Sequence, residues 1–511
     1  MTNIAGDWVA YNATRFPDAP ALEDAETHDL TSWRQLEGRV SRLAGALVEQ
    51  FGITKGDRVS LLAENDTRVF EVQFACMRLG AVFVPFNWRL APPELEQQCG
   101  DADPKLIVHD DVWQEGAYKL GAGTGVHQYL SWRARDTPVD LDEAIDRASP
   151  FAATRDNAMD DPTHILFTSG TTGRPKGALT TFGTLAWQTA NIVHTNFLDG
   201  PGCKLFNPLP LFHAGGLTTL AAPLHRTGAC VAVARRFDPE HALSYIGDPT
   251  RGVTHFGSVP TMWQMMMDIP AFGRADFSGF RHSQIAGSSP PEELLMALVE
   301  RGIVLQQQYG GTELGPNVSS VPRDMVLKKL GSCGIPGPYT QVRLVGADGV
   351  DVPQGQVGEV FLAGPSVSPG YWGSYPEHLE SRVDGWLRTG DAASMDEDGY
   401  LTIAGRYKDM YKSGGENVFA AEVELVLLEH PDIIEVAVVG ASDPRWSEIG
   451  YAFIVARGGR EISLDEVEEH CRPRIARYKT PKRIAMVDSL PRNATGKVIK
   501  DDLRRRALAE A

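Results

Sequence analysis

The chain has 511 residues, with 42% hydrophobic and 23% charged, which excludes a disordered or collagen-like polymer and suits a globular protein of about three units. Its 49 basic and 66 acidic residues give a net charge of −17, so its overall field does not attract nucleic acid or anionic lipid. Six scattered cysteines include no C-x-x-C pair, which excludes the common zinc and dithiol patterns and points to buried thiols in a reducing compartment. The N-terminal residues lack the order of a signal peptide, and no apolar run reaches the ~20 residues of a membrane helix. A cytoplasmic location without a membrane span is the expectation.

Helical periodicity marks Trp33 to Leu47, with Leu36, Val40, Leu43 and Ala44 on one face. Arg58 to Ala63 is β-rich, Val69 to Leu79 is helical and Ala81 to Pro85 is apolar, which together predict a βαβ unit and a parallel sheet. Further strands are predicted around Leu106 to His109, Ile165 to Phe167, Cys230 to Ala234, Val253 to Ser258 and Ile303 to Gln308. Met262, Met265, Met266 and Met267 with Trp263 read as an ordinary core helix. After about residue 330 short strands dominate: Gln341 to Val345, Gly358 to Leu362 and Tyr400 to Ile403. A polar break at Gly405 to Asp409 precedes a compact αβ pattern, with helices at Ala420 to Glu429 and Leu464 to Arg472 and strands at Ile434 to Val439 and Tyr451 to Ala456. Arg504, Arg505 and Arg506 read as a solvated basic tail.

Four motifs carry chemistry. The first is Thr168-Ser169-Gly170-Thr171-Thr172-Gly173-Arg174-Pro175-Lys176-Gly177, which follows an apolar strand. Its glycines let backbone approach a phosphate chain, and its hydroxyls and Lys176 can donate hydrogen bonds to it. It lacks the spacing of a Walker A loop. The second is Gln308-Tyr309-Gly310-Gly311-Thr312-Glu313: a ring to stack on a base, a hydroxyl for a phosphate, a carboxylate for Mg²⁺. The third is Trp386-Leu387-Arg388-Thr389-Gly390-Asp391 with Gly405-Arg406, where a carboxylate can accept from a ribose diol and a guanidinium can reach ribose or phosphate. The fourth is Pro491-Arg492-Asn493-Ala494-Thr495-Gly496-Lys497, a tight turn that projects a lysine.

In this order the motifs make the chain resemble the adenylate-forming superfamily of acyl-CoA synthetases, carrier-protein adenylation domains and firefly-type luciferases. The resemblance extends to Pro210-Leu211-Phe212-His213-Ala214-Gly215-Gly216, to Gly364 through Trp372, and to Gly405 through Asn417. One departure is visible: the family's adenine-side loop often reads Gly-Gly-Ala-Pro, and here the stretch is Ala286-Gly287-Ser288-Ser289-Pro290.

The resemblance implies an α/β fold. A large N-terminal domain of helix-covered sheets, residues 1–405 with a β-rich subdomain from about 330, would be joined by a hinge at 406–409 to a mobile α+β domain, 410–511. It implies activation of a carboxylic acid by ATP as acyl-AMP, with release of pyrophosphate, then transfer of the acyl group to the thiol of CoA. A separate acyl carrier protein, or an acceptor that is not a thiol, stays open as the alternative, and homodimers are common among such proteins. Thr168 to Lys176 would hold the β- and γ-phosphates, Glu313 with Thr168 would hold Mg²⁺, and Thr312 would touch the α-phosphate. Tyr309, Gly287 and Ser288 would frame adenine. Asp391 and Arg406 would hold ribose, with Lys412 also at the nucleotide. Lys497 would bridge the substrate carboxylate and the α-phosphate. Rotation about Lys408 would then bring Ser413, Gly414, Gly415, Glu416 and Asn417 to the thiol tunnel, which His213 would gate. The acyl pocket would be lined by Phe212, Gly216, His255, Phe256, Gly310, Gly311 and Asn317, a mixture that leans toward aryl or hydroxycinnamate-type acids over long saturated chains and leaves a medium-chain acid open.

Overall fold

The computed structural model describes residues 6–134, 137–152, 157–168, 175–196, 200–287, 289–373, 381–413, 416–443, 446–493 and 496–509. They fall into two compact units, one of residues 1–290, 294–341 and 362–387, the other of 291–293, 342–361 and 388–511.

Two sheets dominate the first unit. In the seven-stranded sheet, Arg58–Leu62 lies between Val82–Pro85 and Leu106–His109, parallel to both. These strands are apolar and almost wholly buried, as sheets covered on both faces require. Pro162–Thr168 continues the sheet in parallel and then pairs antiparallel with Lys176–Thr181, so both ends of the glycine-rich motif are fixed by one hairpin. The nine-stranded sheet has a parallel centre that includes Lys204–Asn207, His255–Ser258, His282–Ile285 and Leu305–Gly311. Gly315–Ser320 then turns back antiparallel to Leu305–Gly311.

The covering helices start and stop where their residues dictate. Ser32 and Gln35 form a capping box at the start of Trp33–Glu49. Asp66 caps Thr67–Leu79, and Gly80 ends that helix at a φ of 69°. Their apolar faces meet in one core with Leu217, Leu220 and Leu224. Phe206, Phe256, Trp263 and Phe280 anchor a second core. Met262, Trp263 and Met266 belong to it as expected, whereas Met265 is exposed.

The second unit includes most of a sheet with strands Gln341–Val345, Gly358–Ala363, Trp386–Met395 and Leu401–Arg406, and a further sheet built on the antiparallel pair Ile433–Asp443 and Ser447–Ala456. Helices Ala420–Leu428 and Leu464–Cys471 cover this further sheet through Val423, Leu427, Val467 and Cys471. Residues 342–361 and 388–405, counted with the large domain in the sequence reading, group here. In the basic tail Arg505 and Arg506 are exposed as expected, whereas Arg504 on helix Lys500–Ala509 is ion-paired to Asp409 and donates to the Lys408 carbonyl. All six cysteines are free and buried. Among the described residues, no helix is long and apolar enough to cross a membrane.

Candidate active site

In the first unit the candidate residues follow the carboxyl ends of strands, the usual ligand position in open α/β sheets. Thr168 ends a strand of one sheet, and Glu313 follows the end of Leu305–Gly311 in the other. They meet there: the Thr168 hydroxyl donates to Glu313 Oε1 at 2.6 Å. The Tyr371 hydroxyl reaches the same oxygen at 3.4 Å, and the Ser368 N–H donates to the Glu313 carbonyl at 3.3 Å. Lys176 is buried, its ammonium 5.5 Å from the Tyr371 ring centre. Tyr371 is held there because Gly370–Tyr371 pairs as an edge strand with Lys176–Thr181.

Two glycines near this cluster are fixed by space or backbone geometry. A Cβ on Gly310 would lie 2.5 Å from the Pro316 carbonyl oxygen, and Gly287 sits at a φ of +90°. The donor set suits Mg²⁺ carried by a nucleotide, since that ion keeps its waters and takes one or two carboxylates plus phosphate oxygens. Glu313 with Thr168 offers one carboxylate and one hydroxyl. No cluster of three or more histidine, cysteine, aspartate or glutamate side chains fit to hold a metal occurs among the described residues.

A second group surrounds His213. Asn65 holds this loop, accepting from the Leu211 N–H at 2.9 Å and donating to the Leu209 carbonyl at 2.9 Å. The His213 ring lies 4.7 Å from Phe212. Arg89 stands 5.7 Å over Phe212 and 4.9 Å over Trp88. Burial, and then the Arg89 charge, push His213 down to about 4, so it is neutral at pH 7. Gly216 lies in a single π-helical turn, Gly215–Thr219, where a Cβ would come 2.4 Å from the Pro210 carbonyl oxygen.

The remaining pocket candidates separate. Phe256 is fully buried against Phe206, Trp263 and Phe280. Its neighbour His255 points to the other face, where Nδ1 bonds the Thr254 hydroxyl at 2.7 Å and the ring lies 5.8 Å from His282. Asn317 is buried on Gly315–Ser320, while Gly311, Thr312 and Tyr309 are partly exposed.

In the second unit Asp391 and Arg406 are directly opposite in an antiparallel pair and form an ion pair at 2.8 Å. Asp391 is buried and its N–H donates to the Thr389 hydroxyl. Lys497 is exposed at the end of a turn, its N–H donating to Asn493 Oδ1 at 2.9 Å. Surrounding protein and then the like charge of Arg406 lower its ammonium from the usual lysine range. Lys408 is exposed in the short 3₁₀ turn Tyr407–Asp409. Met410–Ser413 and Glu416–Phe419 form a hairpin that pairs Lys412 with Asn417 and Ser413 with Glu416. Ser169, Gly170, Thr171, Thr172, Gly173, Ser288, Gly414 and Gly415 lie outside the described residues.

The sequence reading gave no role to Tyr371 or Arg89. Tyr371 stood inside a quoted motif, so that signal was present. Arg89 had none, because its aromatic neighbour Phe212 is far along the chain.

Known proteins match most of the chain. Residues 9–372 match the AMP-binding enzyme family, and residues 422–497 match the AMP-binding enzyme C-terminal domain. The chain is 38% identical over 502 residues to a feruloyl-CoA synthase of an Amycolatopsis species, covering 98% of both chains. It is 38% identical over 503 residues to an indoleacetate–CoA ligase of Aromatoleum aromaticum, covering 98% of this chain and 97% of that one. The o-succinylbenzoate CoA synthetase of Bacillus subtilis, solved with its acyl-adenylate intermediate, superposes with a TM-score of 0.85 at 28% identity over 98% of each chain. The chain belongs to the AMP-binding enzyme family, as an ATP-dependent, AMP-forming acid–thiol ligase.

Proposed function

We propose that the enzyme joins an aryl carboxylic acid of the hydroxycinnamate type to CoA. The observation that supports the chemistry is the meeting of Thr168 and Glu313 at the ends of two sheets, beside buried Lys176. Support for an aryl acid comes from the two relatives at 38% identity, whose names carry a ferulate and an indoleacetate.

A carboxylate is a poor electrophile because oxide leaves badly. In the first half-reaction a carboxylate oxygen attacks the α-phosphorus of ATP and pyrophosphate departs, giving a mixed anhydride. In the second, a thiol sulfur bonds to the carbonyl carbon and AMP departs with the electron pair. Positioning and charge stabilisation therefore carry most of the catalysis. Lys176 and the loop it closes bind the β- and γ-phosphates. Thr312 meets the α-phosphate, and Tyr309 with Gly287 and Ser288 frames adenine. Glu313 and Thr168 would hold Mg²⁺, whose charge would offset that of the phosphates. Asp391 and Arg406 take the ribose, with Lys412 also at the nucleotide. Lys497 supplies a compact, mobile cation between carboxylate and α-phosphate. Its withdrawal by rotation about Lys408 makes way for the Ser413–Asn417 hairpin and the pantetheine arm, past neutral His213. Phe212, Gly216, His255, Phe256, Gly310, Gly311 and Asn317 surround the acyl group.

The test is mass spectrometry of the products formed from protein, Mg-ATP, CoA and a pool of fatty acids, benzoates and cinnamates. Aryl-CoA as the dominant product supports the reading. A fatty acyl-CoA overturns the acid class, and acyl-adenylate without thioester moves the acceptor to a carrier protein or a non-thiol nucleophile.

A further inference from the structure

The short strand Gly370–Tyr371 touches both Lys176 and Glu313. Tyr371 is directly opposite Ala178 on Lys176–Thr181, and Ala178 is two residues from Lys176. The Tyr371 ring and the Lys176 side chain therefore share one face of the sheet, where the small Ala178 leaves room for the ring. The Lys176 ammonium stands 5.5 Å over the ring centre, within cation–π range. At the far end of the ring the Tyr371 hydroxyl reaches Glu313 Oε1 at 3.4 Å, the oxygen that also accepts from Thr168 at 2.6 Å.

The backbone around Tyr371 repeats this link. The Trp372 N–H donates to the Gly177 carbonyl at 2.7 Å, and the Ser368 hydroxyl donates to the Leu179 carbonyl at 2.7 Å. The Ser368 N–H donates to the Glu313 carbonyl at 3.3 Å. Residues 368–372 therefore tie the hairpin that carries Lys176 to the turn that carries Glu313. A carboxylate only accepts hydrogen bonds. Two hydroxyls converge on Oε1 of Glu313, while Oε2 receives no hydrogen bond from the described residues.

We propose that Tyr371 is a positioning residue that couples the lysine at the phosphates to the carboxylate at the metal. Its ring holds Lys176 in place. Its hydroxyl, with that of Thr168, orients Glu313 so that Oε2 is the oxygen offered to Mg²⁺. This inference rests on the roles proposed above for Lys176 and Glu313. Removing a group that orients a ligating carboxylate costs about 10- to 100-fold in metal affinity, and the 3.4 Å length of this contact places it at the low end.

The experiment is calorimetry of ATP binding without acid or CoA, in Mg²⁺ and in EDTA, for the wild type, Tyr371→Phe and Tyr371→Leu. The gain in affinity that Mg²⁺ gives the wild type is expected to fall about tenfold in Tyr371→Phe. Affinity of that variant for metal-free ATP should stay at the wild-type value, because the ring over Lys176 is kept. Tyr371→Leu removes the ring as well, and should bind metal-free ATP more weakly. In turnover, Tyr371→Phe should need more Mg²⁺ for half its maximal rate, with kcat restored at excess Mg²⁺. A Tyr371→Phe protein that keeps the whole Mg²⁺ gain, or that loses metal-free and metal-dependent binding equally, overturns the proposal. Should Tyr371→Phe fail to fold, Tyr371→Leu is read on the same gain. ATP binding that Mg²⁺ does not strengthen in the wild type sinks the role of Glu313 itself, whereas an intact gain in the variant sinks only this inference.

Discussion

Replacing Lys497 with alanine should separate the two half-reactions. The turn that presents Lys497 is held by backbone and by the Asn493 side chain: the Asn493 N–H donates to the Lys497 carbonyl and the Lys497 N–H to Asn493 Oδ1, each at 2.9 Å, and the Gly496 N–H donates to the Asn493 carbonyl at 2.9 Å. None of these needs the lysine side chain, which is exposed. Folding stability should therefore change by less than ~0.5 kcal/mol. Loss of a unit charge about 4 Å from a phosphate oxygen, at an effective dielectric near 20, removes about 4 kcal/mol of transition-state stabilisation. That corresponds to roughly a thousandfold in rate. Acid-dependent pyrophosphate release measures the first half-reaction. Thioester formation from supplied acyl-adenylate and CoA measures the second, and should largely survive. Near-normal pyrophosphate release from Lys497→Ala refutes the role given to this residue, and equal loss of both half-reactions refutes the separation.

Three further expectations follow from particular groups. Burial holds His164 and His225 at about 3 and His213 and His282 at about 4, against an ordinary 6.5. The unfolded chain therefore binds more protons between about pH 6.5 and 4, and each histidine lowers stability by up to ~1.4 kcal/mol per pH unit as pH falls through that window. Denaturant unfolding at several pH values should show this decline, and a flat profile down to pH 4 contradicts it. Lys408→Pro, which restricts φ at the turn, should impair thioester formation far more than adenylate formation, as read by the two half-reaction assays; equal loss sinks the hinge. Gly334→Ala should cost roughly 2–4 kcal/mol in chemical denaturation, because its Cβ would lie 1.9 Å from the Ser320 carbonyl carbon at a φ of +92°; an unchanged midpoint contradicts the close approach.

What the sequence revealed tracks how local the determining interactions are. The helices Trp33–Glu49 and Thr67–Leu79 appear within about two residues of their expected spans, because Ser32, Asp66 and Gly80 mark their ends in the chain itself. The strand His282–Ile285 was missed. It reads His-Ser-Gln-Ile, three polar residues before one apolar, with neither the alternation nor the apolar run that marks a strand, and His282 finds its partner Gln306 on another strand. Arg504 was misjudged for the same reason, since Asp409 lies 95 positions away. Within the site, the motif order identified Thr168 and Glu313 separately. Their contact spans 145 positions and joins two sheets, which no local pattern encodes.

The central claim is that the acid is activated as an adenylate before the thiol attacks, and oxygen transfer tests it most directly. The acid is supplied with ¹⁸O in both carboxylate oxygens, and the nucleotide product is analysed by mass spectrometry after one turnover with Mg-ATP and CoA. Attack by carboxylate on the α-phosphorus leaves one labelled oxygen on phosphorus when the thiol displaces AMP, so AMP should carry one ¹⁸O and pyrophosphate none. Unlabelled AMP, or label found in inorganic phosphate alongside ADP, contradicts the account.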